Sequence, residues 1–122
     1  MKINNVNIEY NPSDLDCIQL FNDAFLEVSY KSKKIEKKLA TCEIAQKEFE
    51  KKQIKIIEKF FKNITNEDTS KEILKECTSF HDYVKIFENL VNQVNAINVF
   101  SNIINKKGTK NKKHIKKKMK CK

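Results

Sequence analysis

At 122 residues the chain is one domain or part of one. It is 39% apolar and 34% charged, with one glycine, one proline and no tryptophan. Sandwiches, barrels and nucleotide-binding α/β folds need turn glycines, phosphate-loop glycines and regularly spaced β-branched strands, so this composition argues against them. The net charge of +9 is uneven, because residues 106–122 hold ten of the 25 lysines and no acid, leaving the rest nearly neutral.

Every basic residue is lysine. Arginine, which makes planar two-pronged contacts to phosphate and guanine, is absent, which weakens any base-reading role. No apolar run approaches the ~18 residues of a membrane span, and Met1 to Asn5 lack the apolar core of a secretory signal. The expected compartment is the cytoplasm.

In chain order, residues 1–12 read as an extended arm. Val6, Ile8 and Tyr10 alternate with polar residues, a strand-like pattern with no evident partner strand, and Pro12 closes it. Ser13 with Asp16 three residues on is a capping-box variant that marks a helix start. From there steps of three and four from Ile18 run through Phe21, Phe25, Val28, Ser32, Ile35, Leu39, Cys42, Gln46, Phe49, Gln53, Ile56, Phe60 and Asn63, ten of the fourteen being apolar or cysteine. That alternation is the heptad seam of a helix packed on another along its length. With no glycine or proline in residues 13–63, one helix of about 75 Å is predicted.

A polar break follows at residues 63–68, and Thr69 with Glu72 forms a second capping box. The second seam passes through Ile73, Cys77, Phe80, Val84, Phe87, Val91 and Val94, giving a predicted helix over 69–105 and about 55 Å long. Gly108 is the stop signal. The expected fold is therefore all-α, a long antiparallel helical hairpin of coiled-coil type. Further apolar residues flank both seams, among them Leu20, Leu26, Ala45, Ile57, Phe61, Ile64, Leu74, Tyr83, Ile86 and Leu90. Two helices alone leave such a width exposed, so the expected partner is a second copy or another helical protein.

The lysine-rich tail, residues 106–122, has few apolar residues, repels itself and is expected to be disordered. Its clusters are Lys112-Lys113 and Lys116-Lys117-Lys118. Three readings compete: a solvated end, attachment to an anionic membrane, and nucleic-acid contact or nuclear import. No aromatic is interleaved for base stacking, so nucleic-acid binding would be unspecific and salt-sensitive. A second set of lysines stacks on the first helix at Lys31, Lys34 and Lys38, then Lys51, Lys55, Lys59 and Lys62. This is either a solvated face balanced by nearby glutamates or a positive ridge for an anionic surface.

No cysteine pair has zinc-ribbon or thioredoxin spacing: Cys42 and Cys77 read as small apolar seam residues. Cys77 and His81 make at most half a metal site, and Cys121 lies in a basic setting compatible with reversible lipidation. His81 and His114 have no orienting partner in the sequence pattern. No nucleophile elbow, phosphate loop or metalloprotease helix is present, so neither an enzyme, a cofactor nor a small-molecule substrate is expected.

The stretch from Ala40-Thr41-Cys42 through Phe60-Phe61-Lys62 to Asn66-Glu67-Asp68, followed by Thr69-Ser70-Lys71-Glu72 to Val94, resembles the BAR-domain family. It is most similar to the chibby-interacting BAR proteins, at the end of their first helix and the start of their second. The resemblance implies an antiparallel homodimer that presents basic side chains to curved anionic membrane, and a location at ciliary bases. A BAR protomer has three long helices, whereas two are expected here. The expected function is a non-enzymatic scaffold that oligomerises through its hairpin and attaches to anionic membrane. A small coiled-coil subunit of a nuclear or nucleic-acid-associated complex is the alternative.

Overall fold

A computed structural model describes residues 1–109, with side-chain surroundings as far as Val99. The element order is β1 (Lys2–Ile3), β2 (Val6–Asn7), α1 (Leu15–Ala40), α2 (Gln46–Ile64), α3 (Glu67–Leu74) and α4 (Phe80–Thr109). The protein is mostly helical, as expected, but each of the two predicted rods is interrupted once.

The N-terminal arm finds its partner within itself. Asn4 and Asn5 take φ of 51° and 66°, and asparagine tolerates this left-handed region better than most residues. Two such residues in succession form the mirror-image turn whose twist suits a tight hairpin. Ile3 pairs with Val6 and Lys2 with Asn7, antiparallel. The lone strand expected in this arm is thus half of a hairpin. Ile3 and Ile8 are buried, Asn4 Nδ2 donates to the Ile73 carbonyl at 2.9 Å, and Gln93 Nε2 donates to the Lys2 carbonyl at 3.0 Å. Tyr10 donates its hydroxyl proton to Asn98 Oδ1 at 2.8 Å, so the arm is fastened to both α3 and α4.

Helix α1 starts one residue later than the capping box suggests: Asp14 is the cap, accepting from the Asp16 and Cys17 amides. The predicted single helix over 13–63 ends at Ala40. The Glu43 amide donates to the Lys38 carbonyl (2.8 Å) and the Cys42 amide to the Leu39 carbonyl (3.1 Å), the paired reverse bonds that close a helix C-terminus. Glycine usually takes the left-handed position of this motif; here Cys42 does, at φ 62°. Forcing a Cβ into that region costs about 1–2 kcal/mol. Folding back lets α2 bury Ile57, Phe60 and Phe61, each at most 1% exposed, and each such side chain contributes about 1.5–3 kcal/mol. Burial outweighs the strain. Cys42 itself is exposed, which corrects its assignment as a seam residue.

The second rod is cut at residues 75–79. Asn66, not Thr69, caps α3, its side chain accepting from the Thr69 amide at 2.8 Å. Helix α4 opens with a reciprocal cap: Ser79 Oγ accepts from the Asp82 amide (3.2 Å) and the Asp82 carboxylate accepts from the Thr78 amide (3.0 Å). That Ser-x-x-Asp pattern is a capping box one element further along than the one the sequence reading used.

The helices pack around one core. Phe25 meets Phe60, Glu27 meets Lys59 and Gln53 Nε2 donates to Ser32 Oγ, partners whose numbers fall in one helix as they rise in the other, so α1 and α2 are antiparallel. Phe49 lies against Phe80 and Phe60 against Phe87, which sets α4 parallel to α2. Phe21, Val28, Phe60, Ile73 and Val94 are buried within this core, while Phe25, Ile56, Val84 and Phe87 pack at its edge. Ile35 is buried apart from that cluster, and Ile18, Leu39, Phe49, Phe80 and Val91 are half-buried. Many of the seam residues assigned to a partner helix thus pack against helices of their own chain, while Leu15, Leu20, Leu26 and Tyr30 of α1 stay exposed.

Candidate functional site

Folding α1 back on α2 creates the site. The two helices share a long apolar contact, and one flank of it is closed by α4 through Phe87 and Phe80. The other flank is lined by lysines at helical spacing. Lys31, Lys34 and Lys38 come from α1, Lys52 and Lys55 from α2, and together they surround a groove of about 310 Å³ whose apolar part is Ile35 and Ile56. No acid lines it.

Carboxylates bear on two of the five lysines. Glu27 pairs with Lys31 at 2.7 Å and with Lys59 at 3.4 Å. The hydrogen bond from Lys31 holds the Glu27 carboxyl below its ordinary range, and the same bond raises the Lys31 ammonium. Lys52 reaches Glu48 at 3.7 Å. Among the described residues no carboxylate lies within ion-pair distance of Lys34, Lys38 or Lys55. Lys34 instead sits 5.2 Å from the centre of the exposed Tyr30 ring, a cation–π contact. Low-dielectric walls bearing one sign of charge focus the field, so the groove suits an anion.

The structure therefore brings together Lys31, Lys34, Lys38 and Lys55 from the predicted ridge and sets Lys59 at its end, held by Glu27. Lys62 lies apart, 3.9 Å from Glu67, in a second cavity between α2, α3 and α4. Lys51 is exposed and does not line the groove. Lys52 belongs to the site though it was not assigned to it. Its spacing of three from Lys55 was the available signal. Lys112, Lys113, Lys116, Lys117 and Lys118 lie outside the described residues.

The second cavity, about 330 Å³, mixes Glu58, Glu67, Lys62 and Lys71 around the half-buried Tyr83. Its buried Ser70 gives its hydroxyl proton to the Glu67 carbonyl at 3.0 Å, and burial pushes the Tyr83 phenol up. Burial likewise pushes the Cys77 thiol up, which makes it less reactive. Among the described residues no group of three or more His, Cys, Asp or Glu side chains could hold a metal ion, and no helix is long and apolar enough to cross a membrane.

Among the described residues the chain forms four helices with an N-terminal β-hairpin clip and a lysine-lined groove between α1 and α2. The chain belongs to a family of unknown function, DUF6673, which matches it over residues 4–120. No curated protein and no solved structure matches it.

Proposed function

We propose that this protein is a non-enzymatic helical interaction module that attaches to anionic membrane surfaces through the lysine groove between α1 and α2. The observation that carries this is the convergence of five lysines from two helices, three of them without a carboxylate partner among the described residues. The lysine tail adds charge of the same sign, and the BAR resemblance points to the same kind of surface. The groove is lined by two helices of one chain.

Lysines near an anionic bilayer each contribute about 1 kcal/mol. Replacing Lys34, Lys38 and Lys55 by glutamine should weaken sedimentation with phosphatidylserine vesicles about a hundredfold on that scale, with the helical circular dichroism unchanged. Ending the chain at Thr109 should weaken it further. Equal binding by the triple variant and the parent would refute the groove's role. Binding to any DNA duplex that falls steeply with salt, without binding to vesicles, would favour the nucleic-acid alternative.

A further inference from the structure

The groove has more structure than attachment to a charged surface requires. A diffuse electrostatic contact needs only lysines spread over a face, as the exposed Lys33, Lys37 and Lys47 are. Here the three lysines without carboxylates stand on both walls of one concavity, two from α1 and one from α2, and Ile35 and Ile56 line it with them. Like charges so arranged repel one another until a compact anion lies between them. A carboxylate or phosphodiester offers a single charge. A phosphate monoester carries about −1.5 to −2 at neutral pH, with three strong acceptor oxygens. The two isoleucines give the methylene groups next to such a phosphate an apolar surface to rest on.

Taking the membrane reading as its basis, we infer that the α1–α2 groove is a headgroup site for lipids bearing a phosphate monoester, with the phosphate held by Lys34, Lys38 and Lys55. Lys31 and Lys52 are secondary, since Glu27 and Glu48 already compensate them. Selectivity then comes from the groove and bulk attraction from the rest of the basic surface.

The test compares phosphatidylcholine vesicles carrying phosphatidic acid with vesicles carrying phosphatidylserine at matched surface charge, using the full chain. The parent should bind the phosphatidic acid vesicles at least tenfold more tightly. The Lys34→Gln, Lys38→Gln, Lys55→Gln variant should lose that preference. Lys71→Gln, Lys75→Gln, Lys85→Gln, which removes equal charge outside the groove, should keep it. Equal binding to both vesicle types overturns the headgroup site and leaves the general anionic-surface reading standing; binding to neither overturns both. Soluble glycerol phosphate supplies the same group without acyl chains. If it displaces the protein from vesicles at concentrations comparable to the lipid, the ligand is a free phosphomonoester, and the lipid assignment falls.

Discussion

The two flanks of the α1–α2 contact are built from the same helices yet end in opposite chemistry. On one flank Phe25, Phe60 and Phe87 form an aromatic cluster, with ring centroids 5.0 to 6.3 Å apart, closed by α4. On the other, Ile35 and Ile56 meet a rim of lysines and, among the described residues, no third helix. The difference shows what helical periodicity does and does not specify. It states which side chains shun water, but not whether the cover comes from the same chain, another chain or nothing at all. The covered flank buries the larger share of the apolar side chains, and on the reading proposed above the lysine flank is the one that binds.

The largest effect that would break this division is a cavity on the covered flank. Phe60 is 1% exposed and touches three other rings, so Phe60→Ala should cost about 3–5 kcal/mol in urea unfolding. That is a large share of the stability of so small a domain. A loss below about 1 kcal/mol would mean that the aromatic cluster is not the centre of the core. The hairpin that clips α3 and α4 comes next. Asn4→Ala removes both a residue tolerant of positive φ and the hydrogen bond to Ile73, and should cost about 1–2 kcal/mol. Asn4→Gly should recover the backbone share alone.

These two sites also show how much of the fold was legible. The seams pick out residues that are indeed apolar contacts: Phe21, Val28, Ile35, Phe60, Ile73 and Val94 are all buried. The break after Ala40 was not legible because its left-handed residue is Cys42, and the usual marker of such a turn is glycine. The seam does weaken there, with the small Cys42 followed by the polar Gln46 at two positions where a continuous coiled coil would place large apolar side chains. The Asn4-Asn5 turn was visible in principle, since asparagine pairs favour that geometry. Its strands are only two residues each, too short for alternation to reveal. Of the groove, the lysine spacing on α1 and α2 was legible. Their convergence was not, because it depends on the chain reversing between them.

A smaller effect tests that reversal directly. Cys42→Gly relieves the left-handed strain but adds freedom to the unfolded chain, for a net gain of about 0.5 kcal/mol. Cys42→Val, with a branched Cβ at φ 62°, should instead destabilise, and should loosen the groove as the two walls lose their fixed register. A stabilising valine would show that the helix prefers to run straight through residue 42.

The smallest effect separates the flanks by pH. Hydrogen bonds from the Thr78 backbone hold the Asp82 carboxyl below its ordinary value of 3.8, and this cap begins the helix that closes the covered flank. A carboxyl whose pKa is lowered by folding contributes stability above its unfolded value, and that contribution disappears as pH falls through the folded one. Glu27, at the end of the groove, is lowered from 4.5 by Lys31 and loses its contribution in the same direction. Its partners are solvent-exposed lysines, however, and exposed pairs contribute little. Unfolding followed from pH 6 to 3 should therefore show a flatter acid limb for Asp82→Asn than for the parent, and a nearly parental one for Glu27→Gln. Over that range acid therefore weakens the cap that begins α4. If Glu27→Gln flattened the limb more than Asp82→Asn, the lysine flank would be contributing to the fold as well as to binding, and the division between the two would not hold.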